Sequence, residues 1–198
     1  MTAALKRHKH GKAAGPDEIN NTFYRYYADA LGPILAIFYT RWLTCSVFPV
    51  SFGEVNIQCL KKSAASALPL DHLPIALPNS DCKLFIKILS FRVRPLLSHL
   101  VLLAQVGFVP KRSIHTALDI FAAVSKAANL DSGLHGAIFL LLDFDKAYDT
   151  LQRTYLLSAL TWLGFSAHFV SVATALHHDT TCRFLVNGYR SRRRDDTL

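Results

Sequence analysis

Residues 137–142 read AIFLLL, six apolar positions in a row that run directly into Asp143, Asp145 and Asp149. A short run that is apolar on both alternating faces predicts a strand buried in the middle of a sheet, covered on each side. This is the tightest constraint in the chain. Such a strand demands a neighbour along each edge and a packed layer on each face, so an α/β architecture of mixed α+β character is expected.

The chain has to leave that strand at Asp143, and ligands of open α/β sheets bind beyond the carboxyl ends of strands. A carboxylate held there suits Mg²⁺, which takes oxygen ligands and is usually bound by one or two carboxylates together with phosphates. Asp143 and Asp145 share a side only while the backbone stays extended. The turn into the following helix is expected to carry Asp145 away. Asp149 is expected to cap that helix, with Gln152 in capping-box spacing. On residue type alone, aspartates are also common where a strand gives way to a capped helix. Any second carboxylate of a metal pair must come from elsewhere.

The remaining periodicities alternate between helix and short strand. Residues 1–18 carry Lys6, Arg7, Lys9 and Lys12 and end in the turn-like GPDE of 15–18, which predicts a basic, flexible lead-in. Asn20 or Asn21 caps a helix with Phe23, Tyr24, Tyr27, Leu31, Ile34 and Phe38 along one face and a kink at Pro33. A strand over 55–60 ends in Lys61 and Lys62, followed by a proline-broken extended segment. Asn79 and Ser80 cap a second helix, with Cys82, Phe85, Ile86, Leu89 and Val93 as its stripe and Pro95 at its end. Ser113 opens the most regular helix, in which Ile114, Ala117, Leu118, Phe121, Ala122 and Ser125 share a face, stopping near Asn129. Beyond the aspartates a helix over 149–164 is expected, and Asn187-Gly188 predicts a tight hairpin.

Composition narrows the class further. The 198 residues are 51% hydrophobic and 18% charged, which excludes a disordered chain and fits one sizeable core. The 22 Lys and Arg against 14 Asp and Glu give a formal charge of +8. That surplus makes a polyanion a candidate partner, although it also serves plain solubility. Cysteines at 45, 59, 82 and 182 contain no C-x-x-C pair, so neither a zinc knuckle nor a disulfide frame is expected. The first residues, MTAALKRHKHGK, lack the apolar stretch of a secretory signal. The most apolar window, residues 31–50, carries Arg41 near its middle and prolines near both ends, so no membrane span is expected. An intracellular protein, nuclear or cytoplasmic, follows from these readings.

The context of the aspartates points further. The stretch LLLDFDKAYDTLQRTYLLSALTWLGF resembles motif A of the reverse transcriptases of non-LTR (LINE-type) retrotransposons. KAAGPDEINNTFYRYY resembles that family's GPDG segment, and PVSFGEVNIQCLKK its fingers strand ending in paired lysines. LPIALPNSDCKLFIKILSFRV resembles the RPI-x-L segment and helix, QVGFVPKRSIHTAL the QxGFxxxRS segment, and FLVNGYRS the hairpin beyond motif A. The blocks stand in the family's order from residue 12 to residue 191, which is far more specific than any one of them.

The resemblance implies a partial right-hand polymerase fold: a lead-in over 1–18, a helical fingers-like region over 19–130, and an incomplete palm sheet over 131–198 that carries motif A. It implies RNA-directed DNA polymerase chemistry, in which two Mg²⁺ ions stabilise the attacking and leaving oxygens at a dNTP, with RNA template and DNA primer as partners. Asp143 matches the metal-ligating aspartate, and the Phe144 backbone carbonyl a further ligand. Tyr148 matches the aromatic steric gate against the sugar's 2′ hydroxyl. Arg112, Lys111, Lys61 and Lys62 match basic residues near template or incoming phosphates; solvated surface charge explains them as well.

Departures from the pattern limit that implication. Leu73 stands where the family has the Arg of RPI, and Glu18 replaces the last glycine of GPDG. Motif B is not intact, and no aromatic-x-Asp-Asp segment of motif C type is present. The terminal RRRDDTL has arginines, not an apolar strand, before its aspartates. The expectation is therefore a catalytically incomplete fragment. Two rivals remain open: a basic nucleic-acid-binding remnant without catalysis, and a phosphatase of haloacid-dehalogenase type with Asp143 as nucleophile and Asp145 as acid.

Overall fold

The computed structural model describes residues 1–61, 71–130, 133, 138, 140–144, 147, 148, 150–186 and 188–195. Its elements in chain order are α1 (Thr2–Lys6), α2 (Asn21–Tyr26), α3 (Ala28–Cys45), β1 (Glu54–Lys61), β2 (His72–Pro78), α4 (Ser80–Val93), α5 (Leu97–Leu100) and α6 (Ile114–Leu130). Then follow α7 (Arg153–Trp162), α8 (Ala167–Leu176), β3 (Thr181–Val186), β4 (Tyr189–Arg190) and β5 (Arg194–Asp195). The class is mixed α+β, as the patterning predicts. No helix among the described residues is long and apolar enough to cross a membrane.

Two compact units divide the chain: 1–88 with 152–198, and 89–151. In the first unit β1 is central, antiparallel to β2 from Val55↔Pro78 to Lys61↔His72 and parallel to β3 from Glu54↔Thr181 to Gln58↔Leu185. The sheet order is β2-β1-β3-β4, with β5 also paired to β3. Val186 pairs with Tyr189, which closes the predicted two-residue hairpin at Gly188, held at φ +82°.

The core of this unit is aromatic. Tyr39 meets Phe85 edge-on with ring centroids 5.1 Å apart, Trp42 meets Phe52 at 5.2 Å, and Phe48 meets Phe85 at 5.2 Å. Such T-shaped pairs add to the stabilisation from area burial alone. Burial pushes the neighbouring Cys82 thiol up to about 12, with the Asp81 charge adding to the shift, so this cysteine is an inert packing group.

Several expectations are corrected here. The lead-in over 1–18 is packed rather than free: α1 lies on α3, Leu5 is fully buried, and a Cβ on Gly32 of α3 would overlap the Thr2 side chain. The single helix expected from Asn20 is two, α2 and α3, separated at Tyr27. Its buried face is Tyr24, Ala28, Gly32 and Tyr39, not the larger stripe, because small residues let α1 approach closely while Phe23, Ile34 and Phe38 stay exposed. Asn20 does cap α2, accepting from the Thr22 and Phe23 amides at 2.9 and 3.2 Å. The helix expected over 149–164 begins at Arg153, where Arg153 gains partners in the His177 carbonyl at 3.1 Å and the Thr180 hydroxyl at 3.3 Å. Asp149 lies outside the described residues.

The predicted central strand over 137–142 is the largest difference. Its described residues Ile138, Leu140, Leu141 and Leu142 form no strand and are between 77% and 90% exposed. The reason is one of partners. A strand apolar on both faces is buried only when both edges are paired, and the described sheet closes without it through the parallel ladder between β1 and β3.

Candidate nucleic-acid interface

The residues expected to carry chemistry fall into three groups. The first is the acidic segment. Asp143, Phe144 and Tyr148 lie in the second unit, with Phe144 and Tyr148 more than four-fifths exposed and Asp143 also exposed. Asp145 lies outside the described residues. Among the described residues, no three His, Cys, Asp or Glu side chains converge as a metal site would require. Asp143 and the Phe144 carbonyl are suitable oxygen donors for Mg²⁺, but these donors do not complete a two-ion centre.

The second group is Lys111 and Arg112, and here the structure separates two residues that the sequence treats alike. Arg112 donates four of its five N–H groups to backbone carbonyls of its own unit. One terminal nitrogen bonds the Leu102 and Gln105 carbonyls, the latter at 2.7 Å; the other bonds Ser98 and Val101 at 3.2 and 3.1 Å. These carbonyls lie within and just after α5, whose end leaves acceptors unpaired. Arg112 is thus a clamp on the turn. Lys111 next to it is exposed and sits at φ +65°, a left-handed conformation uncommon for a side-chain-bearing residue.

The third group is the β1 end. Lys61 is exposed and pairs in register with His72, and Lys62 lies outside the described residues. Leu73, Pro74 and Ile75 stand on β2 opposite Leu60, Cys59 and Gln58. Glu18 adopts φ +61°, a left-handed conformation that glycine favours, and its carboxylate pairs with Arg190.

Sequence reasoning missed how the basic N-terminal stretch is held. The His8 and Lys9 carbonyls accept from Arg25 and Asn21 at 3.3 and 3.2 Å, and the Ala13 carbonyl accepts from Lys83 Nζ at 3.1 Å. Asn79, expected as a cap, instead bridges two loops: its Oδ1 accepts from the Asp17 amide and its Nδ2 donates to the Ser51 carbonyl, both at 3.1 Å. Ser80 Oγ likewise donates to the Ile19 carbonyl at 2.9 Å. Burial lowers the pKa of His8, with the charges of Lys87 and Lys83 acting in the same direction and the neighbouring Asn21 side chain opposing them. The helix α8 was also unread, although Ser166 ahead of the apolar HFVSVATAL was a legible signal; it caps by accepting from the Phe169 amide at 3.2 Å.

No protein-family model matches the chain. Over 187 residues, 94% of its length, it is 26% identical to a protein described as the Transposon TX1 uncharacterized 149 kDa protein of Xenopus laevis. The chain spans 14% of that relative's length. It is therefore a distant homologue of one part of a transposon protein.

Proposed function

We propose that this chain is the fingers and motif A portion of a reverse transcriptase of the non-LTR retrotransposon type, one that engages RNA without extending a primer by itself. Two readings of the sequence carry this proposal together. Family-like segments occur in the family's order from residue 12 to residue 191, and a transposon protein aligns over 94% of the chain. In this reading the fold is part of a right-hand polymerase, and Asp143 with the Phe144 carbonyl is its share of the Mg²⁺ ligands. Tyr148 is the gate beside the incoming dNTP sugar, Lys61 and Lys62 belong to the basic surface facing template and primer, and Arg112 supports that surface as a clamp. The described donors do not complete the metal centre, so no step of nucleotidyl transfer is assigned to this chain.

The charge of +8 favours binding of a polyanion. The test is an RNA-templated primer-extension assay with Mg²⁺ beside a binding titration, on the wild-type chain and Asp143→Ala. Salt-sensitive RNA binding with no extension is expected from both proteins. Extension that depends on Asp143 would overturn the non-catalytic part of the proposal, and absence of RNA binding would overturn the proposal as a whole.

A further inference from the structure

A hollow of about 480 Å³ in the second unit is lined by Phe91, Arg94, Pro95, Ser98, Pro110 and Lys111. Its walls are one aromatic ring and two proline rings, its rim carries two cations, and none of the six lining residues is acidic. The size is that of a small-ligand site, within the usual range of about 300–1,000 Å³. The hollow is also a built feature. Lys111 and Phe108 both hold left-handed backbone conformations, at φ +65° and +61°. Such conformations persist when the surrounding structure over-determines them. Here the fixing agent is Arg112, whose guanidinium ties the carbonyls of 98, 101, 102 and 105 to the segment that presents Pro110 and Lys111. Val109, two residues before Lys111, is buried and anchors the same segment.

We infer that this hollow takes one nucleotide unit of a single-stranded RNA, with the base against Phe91, Pro95 and Pro110 and its phosphates at Arg94 and Lys111. The chemistry fits on both counts. Aromatic and apolar walls accept any base through its π-face, and paired cations track the backbone, which is the recurring arrangement of single-strand binding surfaces. Arg94 adds a planar fork suited to phosphate oxygens, and Lys111 adds a point charge. Ser98, whose Oγ donates to the Pro95 carbonyl at 3.4 Å, supplies a hydroxyl at the same wall. This inference rests on the RNA-binding reading above and gives it a location; Arg112 enters as a positioning residue.

The experiment is fluorescence-anisotropy titration of the full chain with a labelled oligouridylate at several salt concentrations. Arg94→Glu and Lys111→Asn are compared with Arg41→Glu, an exposed cation of the first unit that changes net charge without touching the hollow. Asparagine tolerates a left-handed backbone, so Lys111→Asn removes charge without adding strain. Arg94→Gln serves if circular dichroism shows that the charge reversal unfolds the protein. Each hollow variant is expected to weaken binding about tenfold, and Lys111→Asn to lower the salt slope by about 0.7, the value for one phosphate of a single strand. Phe91→Ala is expected to cost a further factor of about ten from lost stacking. Arg41→Glu should change affinity less than about twofold, as an exposed, salt-screened charge that does not line the hollow. Wild-type binding unchanged by the hollow variants, or lost equally in Arg41→Glu, would overturn the hollow and leave the RNA-binding reading intact. A wild-type chain that does not bind the oligouridylate would overturn both.

Discussion

The two compact units handle their apolar residues in opposite ways. In the first unit Leu5, Tyr24, Tyr39, Phe52, Leu84, Phe85 and Val172 are buried, and five aromatic rings meet in one cluster. In the second, α6 presents Ile114, Leu118, Phe121 and Val124 to solvent and has no buried residue, and the described part of 138–144 is exposed throughout. Both units show clear hydrophobic periodicity in sequence. An apolar stripe records that a face wants covering, and says nothing of which element covers it. Among the described residues of the second unit, the Arg112 clamp on its backbone carbonyls is a polar tie beside the buried Val109.

That contrast can be broken most sharply by paired truncations. Phe85→Ala removes a ring that is 2% exposed and is expected to cost about 3–5 kcal/mol. Phe121→Ala on the exposed face of α6 is expected to cost less than about 1 kcal/mol. Urea unfolding read by circular dichroism measures both; equal losses would mean that α6 is buried in solution and would erase the contrast. A smaller effect is expected from Arg112→Lys, which cannot hold four carbonyls at once and should cost about 1–3 kcal/mol. Its mark is local: limited proteolysis should cut the 98–112 turn faster while the aromatic core of the first unit stays resistant.

The smallest effect concerns pH. Burial depresses the pKa of His8 below its ordinary 6.5, so between that value and the lower folded one the unfolded chain binds more protons. The contribution is therefore intact above pH 6.5 and is lost as pH falls through the folded value. His177, lowered by burial and by Arg153, acts with the same sign. Asp81 acts with the opposite sign at lower pH, because burial raises its carboxyl. Thermal melts just above and below pH 6.5 should show a smaller drop in His8→Gln than in the wild type, and an identical drop would remove His8 from the account.

Local chemistry was the legible part of this sequence. The Asn20 cap, the strand that became β1, the hairpin at Gly188 and the opening of α6 at Ser113 are each decided by a few adjacent residues, and all appear where expected. What escaped was set by distant partners. Asn79 has the look of a cap, but its side chain is claimed by Asp17 and Ser51. The AIFLLL run reads as a buried strand, yet burial depends on edges that no local pattern specifies. For the candidate site, Lys111 and Arg112 were flagged together because both match basic residues of the resembled segment, and their separation into an exposed cation and a clamp follows from carbonyls up to fourteen residues away. Arg94 lies just outside the segment over 73–93 and Phe91 near its end, neither was singled out, and only the hollow brings them to Lys111.

The parallel ladder that joins Glu54 to Thr181 and Gln58 to Leu185 also sets an order in time. Contacts between residues so far apart along the chain are slow to form, because a long loop must close before they return any stabilisation. During synthesis β1 and β2 emerge before β3 and can pair, but the inner edge of β1 stays open until β3 has left the ribosome. While the intervening segment is made, the strand that becomes the centre of the sheet is an exposed template for pairing with other chains.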